Sequence, residues 1–180
     1  MLIGDVKELP EELLKNKIFD IFGIEVKIKE IEEEPLYAYD PVRHQCYSSK
    51  ILKEMLKEVP EDAIKVIGIT NQDLCTPVLS YVFGEAQLGG KVGIVSTRRL
   101  KQEFYGLSRD DKIFFERLLK EVIHEFGHTF SLVHCTQKTC VMSLSTNVLK
   151  IDEKNCNFCD ACQELIRINL SIYRKEEKED

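Results

Sequence analysis

Apolar residues recur along the chain with two periods, one near 3.6 and one of 2, and the switches between them predict an alternating order of strands and helices. Residues 2–6 read as a short strand. Pro10-Glu11-Glu12 then opens a helix, with proline in the first turn and carboxylates near the positive end of the dipole. Its apolar face is Leu14, Ile18, Ile21 and Phe22, and Gly23 ends it. Ile24, Val26 and Ile28 alternate with Glu25, Lys27 and Lys29 as in a half-buried strand, which predicts a strand-helix-strand unit with parallel strands. Ser48 or Ser49 caps a second helix whose face is Ile51, Leu52, Met55, Leu56 and Val59, stopped by Pro60. Residues 64–69 form a buried strand. Beyond Pro77, residues 79–83 and 92–96 read as two more strands, joined through Gly84, Gly89 and Gly90. Ser108, Asp110 and Asp111 open a long helix that Ile113, Phe114, Leu118 and Val122 anchor in the core. A last helix starts at Asp160, with Ala161, Leu165, Ile168 and Ile172 on one face. Beyond Tyr173 the chain has no apolar residue, and 175–180 are expected to be a disordered tail.

A chain of 180 residues is one domain's worth, and no internal repeat or low-complexity linker divides it. The formal charge of -6 argues against nucleic acid and anionic membrane surfaces as partners, because Lys and Arg are interspersed with Glu and Asp instead of forming a basic patch. No basic-then-apolar leader opens the sequence and no apolar run reaches the ~18 residues of a membrane span, so a soluble, cytoplasmic monomer is expected. The seven cysteines are odd in number, and most fall at metal-ligand spacing; thiolates on zinc account for them better than disulfides.

The long helix carries the chemistry. It delivers His124-Glu125-Phe126-Gly127-His128, in which two histidines four residues apart share one face and can bind one zinc ion. Glu125 stands beside them, within reach of a metal-bound water. His134 lies six residues past His128; in a continuing helix it would be roughly 9 Å further along and about 120° round, so the helix must break before His134 can join. With the break, zinc has three protein ligands and an open position, the arrangement of a catalytic site. Further on, Cys135, Cys140 and the run Cys156-Asn157-Phe158-Cys159-Asp160-Ala161-Cys162 offer C-x4-C and, eighteen residues later, C-x2-C, near zinc-knuckle spacing. Three cysteines, 156, 159 and 162, compete for two places in that second set. His44 and Cys46 are read as structural, and residues 81–86 as a rim strand onto which an extended peptide can add.

The order H-E-x-x-H, His134-Cys135, Cys140-x-Met142 and then C-x-x-C resembles the archaemetzincin family, a branch of the metzincins; the likeness spans residues 123 to about 165. It implies an α/β (α+β) metzincin-like fold: a twisted mixed sheet with helices and the zinc helix in 1–130, and a small C-terminal subdomain with a four-cysteine zinc in 131–174. It further implies two Zn²⁺ per chain, a catalytic one on His124, His128 and His134 and a structural one on Cys135, Cys140, Cys159 and Cys162. The family's pair is followed by x-x-Leu, which Leu165 supplies after Cys162 and which leaves Cys156 spare. Met142 corresponds to the methionine beneath the metal. At the glycine position of the metzincin pattern this chain has Ser131, where a left-handed backbone costs a Cβ-bearing residue roughly 1 kcal/mol. The activity implied is hydrolysis of peptide bonds by zinc-bound water with Glu125 as general base. A non-catalytic zinc protein that binds peptides is the alternative.

Overall fold

The computed structural model describes residues 1–6 and 9–176. In chain order it contains strand β1 (Leu2–Ile3), helix α1 (Glu11–Phe22), β2 (Glu30–Ile31), β3 (Tyr39–Asp40), β4 (Gln45–Tyr47), α2 (Ser48–Met55), β5 (Val66–Thr70) and β6 (Leu74–Cys75). There follow β7 (Gly84–Ala86), β8 (Val92–Ser96), α3 (Asp111–Thr129), α4 (Val148–Glu153) and α5 (Asp160–Glu176). A five-stranded sheet has the order β2-β1-β5-β8-β7, parallel except for the antiparallel edge strand β7. β5 and β8 are buried along their whole length, as the centre of a parallel sheet covered on both faces must be. α3 packs on one face and α2 on the other, while β3, β4 and β6 make a smaller three-stranded sheet.

The parallel strand-helix-strand unit is present, and α1 ends at a left-handed Gly23 with φ 63°. Its strands are shorter than the alternation suggests. β1 is only Leu2–Ile3, and the parallel register puts Leu2 opposite Glu30, so residues 24–28 lie ahead of the start of β1 with no strand to ladder against. Ile24, Val26 and Ile28 still pack on the core. Neither Ser48 nor Ser49 caps α2, whose first residue is Ser48 itself. The Ser48 hydroxyl is buried, donates to the Cys75 carbonyl at 3.1 Å and contacts Glu85. Residues 79–83 are not a strand: the hairpin turn after Ala86 places 84–86 against 93–95, and the preceding residues overrun β8. Along α5 it is Cys162, Ile166 and Leu170 that are buried, and Leu165, Ile168 and Ile172 that stay about half exposed. Both stripes have helical spacing, and the inward position of Cys162 sets the rotation. α5 continues to Glu176, and the rest of the expected tail, 177–180, lies outside the described residues.

One core runs across the expected boundary at residue 130. Phe22 of α1 meets Phe126 and Phe130 of the α3 end at 5.3 and 6.0 Å between ring centroids, and Phe158 at 5.8 Å. Arg117 of α3 also forms two 2.7 Å hydrogen bonds to Asp152 of α4. The C-terminal part is thereby fixed to the helix that carries the histidines. Among the described residues no helix is long and apolar enough to cross a membrane.

Candidate metal centre

α3 starts where Asp110 accepts a hydrogen bond from the Ile113 amide at 2.9 Å, an N-cap that satisfies one orphan donor. It ends in two reciprocal bonds: the Leu132 amide to the Gly127 carbonyl at 3.0 Å and the Ser131 amide to the His128 carbonyl at 2.9 Å. That pair is a Schellman closure, with Ser131 in the left-handed position at φ 68°. Serine therefore takes the conformation that glycine would take more cheaply. The turn redirects the chain and brings His134 back over the helix, its ring 5.3 Å from that of His124 and 4.9 Å from that of His128.

Both helical histidines have their tautomer set by the backbone. His124 donates from Nδ1 to the Val141 carbonyl at 2.8 Å, and His128 from Nδ1 to the Leu132 carbonyl at 2.7 Å. Their bare Nε2 atoms then face each other at 3.1 Å. Two lone pairs at that distance cannot satisfy each other, and they converge as they would on a shared cation. Two ligands on tetrahedral zinc stand about 3.3–3.4 Å apart. One ligand nitrogen from each of His124, His128 and His134 lies within 4.8 Å of the others. Burial lowers the pKa of all three, assisted by Lys154, and that of His124 most strongly. Neutral imidazole is the form that binds metal.

Glu125 is buried, and its Oε2 has no hydrogen-bond partner. Burial first, and the Glu121 charge second, push its carboxyl well above the usual range. Gly84 of β7 is what lets the sheet edge approach: a Cβ there would stand 2.5 Å from Glu125 Oε1. Met142 is fully buried, and its sulfur occupies the space that a side chain on Gly127 would need. Met142 is thus packed against α3 at the turn that carries His128.

The four sulfurs of Cys135, Cys140, Cys159 and Cys162 also lie within 4.8 Å of one another. Cys135 and Cys159 are 3.8 Å apart, the separation of about 3.8 Å that two thiolates have on tetrahedral zinc. An amide donates to Cys159 from Cys162 and holds its thiol below the ordinary value, whereas burial raises Cys140 and Cys162. Cys156 is outside this group and packs half-buried against the main core. His44 is exposed on a turn, bonded to the Tyr39 hydroxyl at 3.0 Å, and Cys46 is buried in β4.

One feature of the site escapes the sequence pattern. Lys154 and Glu121 form a 3.0 Å ion pair, their side chains only 1% and 4% exposed, and Lys154 also donates to the Ser143 carbonyl beside Met142. A charged residue four positions before Glu125 on a buried face signals that a counter-charge is needed, but nothing in the pattern of residues 150–154 singles out Lys154 as its source.

A mixed sheet with an antiparallel edge strand, three histidines that converge at the end of a broken helix, a buried methionine packed on that helix and a group of four cysteines are the features of a metzincin-type zinc metallopeptidase. The model of peptidase family M54 matches residues 26–168. An archaemetzincin from Methanocaldococcus jannaschii is 40% identical over 160 residues, covering 89% of this chain and 87% of its own length. The crystal structure of the Methanopyrus kandleri archaemetzincin superposes with a TM-score of 0.81 at 35% identity, covering 94% of this chain and 93% of that one. A zinc-dependent peptidase from Methanocorpusculum labreanum follows at 0.80 and 30%, covering 92% and 98%. The chain belongs to the archaemetzincins, peptidase family M54, and is a zinc metallopeptidase.

Proposed function

We propose that this chain hydrolyses peptide bonds with Glu125 as the general base, His124, His128 and His134 as ligands of a catalytic zinc, and Cys135, Cys140, Cys159 and Cys162 as ligands of a second, structural one. The observation that carries the reading is the unpartnered, buried Glu125 Oε2 beside the converging histidine nitrogens. Zinc bound there supplies Lewis-acid polarisation of a carbonyl and acidification of water. Glu125 takes a proton from water on Oε2 and hands it to the leaving amine, a double role that suits a carboxyl held above its ordinary pKa. The free edge of β7 offers backbone groups to an extended substrate, with Gly84 keeping that edge close to Glu125. Val133 and Leu144, exposed in the facing wall, meet its apolar side chains.

The test is Glu125→Ala, with zinc content measured beside activity on a peptide library. Zinc and fold are retained, and hydrolysis slows by about 10² to 10⁴. Equal product from the two zinc-loaded proteins, or no product from wild type over a broad library, would leave a non-catalytic zinc protein that binds peptides.

A further inference from the structure

Tyr81 reaches across the cleft. Its hydroxyl donates to the Thr146 carbonyl at 2.8 Å, joining the residues just before β7 to the loop between Met142 and α4. Both residues line the same cleft as His124, Glu125, His128 and His134, a cavity of about 690 Å³. The reach is built from behind. The Arg99 guanidinium lies 4.0 Å from the Tyr81 ring centroid and 4.8 Å from that of Phe104, and Asp73 holds it with two bonds of 2.7 and 2.8 Å. Phe83 meets the Tyr81 ring edge-on at 5.5 Å. On the opposite wall, Ser145 next to Thr146 has a buried hydroxyl without a partner.

We infer that the Tyr81–Thr146 bridge determines how far a substrate can extend past the scissile bond on the side where β7 begins, and so discriminates between substrates by their length on that one side. The inference rests on the proposed function. A peptide laid along β7 passes Gly84, which abuts Glu125, and Tyr81 stands three residues upstream. Three residues span at most about 10 Å even when fully extended, so no more than about three substrate residues fit before the bridge. A longer segment has to wait until the bridge opens. A single hydrogen bond biases such an equilibrium by roughly 3- to 10-fold.

The experiment compares peptides that share one cleavable sequence: a short one, and two extended by about ten residues, ~30 Å, at either the N- or the C-terminus. Turnover is measured as kcat/KM, and binding by fluorescence anisotropy on zinc-loaded Glu125→Ala protein, which does not depend on cleavage. Wild type discriminates against one of the two extensions and tolerates the other. Tyr81→Phe keeps the ring under Arg99 but loses the donor, and it reduces that discrimination by about 3- to 10-fold in both measurements. Tyr81→Leu, which also removes the stacked ring, reduces it at least as far. An unchanged length preference in Tyr81→Phe, or indifference of wild type to both extensions, overturns the bridge. If wild type cleaves nothing, the proposed function fails by itself, and the anisotropy series alone decides whether the bridge restricts length.

Discussion

His134 and Cys135 are neighbours in the chain, yet they belong to two groups of opposite construction. The three histidines depend on a long, buried helix and the turn that ends it: two are rigidly oriented by backbone carbonyls and the third is exposed. The four cysteines come from the loops around Cys135, Cys140 and Cys159 and from the first turn of α5, and they face one another with no position left over. The Cys135 amide pairs with the Met142 carbonyl at 2.9 Å, as in a strand. Where backbone is extended, successive side chains point to opposite sides, which is how adjacent residues serve different clusters. The difference teaches what each group is for. Under the proposed function, the set of three beside an orphaned carboxylate has capacity for a reacting molecule, while the closed set of four ties the loop of Cys135 and Cys140 to the start of α5, segments that also share the core and the Val141–Asn157 backbone bond.

The largest effect separating the two groups is on folding. Among residues 131–159 the only regular element of any length is α4, and the cysteine group ties Cys135 and Cys140 to the start of α5. Under the proposed function, loss of that zinc removes folding free energy directly. Cys159→Ser is therefore expected to unfold or strongly destabilise the C-terminal part, measured as loss of a cooperative thermal transition and of one zinc per chain. Cys156→Ser, outside the group, changes stability by less than about 1 kcal/mol. The opposite ranking would show that the wrong cysteines were assigned.

A smaller effect sharpens the histidine side. With the open site emptied by a mild chelator, His124, His128 and His134 have pKa values below that of an unfolded histidine, so the unfolded chain binds more protons and stability falls as pH drops below about 6.5. Glu125 acts in the other direction. Its raised pKa means that the folded state binds the extra proton between about pH 4.5 and its folded value, which offsets part of the histidine loss. Glu125→Gln removes that offset while keeping the shape. The acid-side loss of stability should steepen by up to about 1.4 kcal/mol per pH unit between pH 5 and 6.5, read from denaturant midpoints. A slope unchanged by the substitution would mean that Glu125 is ionised when the histidine site is empty.

Much of this contrast is legible in the residues themselves, because metal ligands are chemically distinct and their spacing follows helix geometry. α1 and α3, the two central strands and the two groups of convergent histidines and cysteines are visible in that way. What is not legible depends on partners distant in the chain. Residues 24–28 alternate like a strand, but strand formation needs a neighbour in register, and β1 is too short to supply one. α5 has two apolar stripes, and only the position of Cys140 in space decides which one turns inward. Lys154 looks like any surface lysine until Glu121 is placed beside it. Gly84 reads as a linker, whereas its missing side chain is what admits Glu125 to the sheet edge.

The smallest effect concerns the turn on which the histidine group depends. Ser131 holds φ at 68° to close the Schellman turn, so it bears a steric cost that glycine does not, and its side chain is exposed on the surface. Ser131→Gly relieves that cost but adds backbone freedom to the unfolded chain, and the two partly cancel. The net expectation is a stabilisation of about 0.5–1 kcal/mol, seen as a raised denaturant midpoint with an unchanged slope. Because the same turn carries the chain to His134, the variant should also retain the labile zinc at least as well as wild type during chelation. The cysteine group lies on the other side of that turn and should be indifferent. Ser131→Gly that destabilised the protein, or that sped zinc loss, would mean that the serine side chain holds the turn through a contact worth more than the strain it bears.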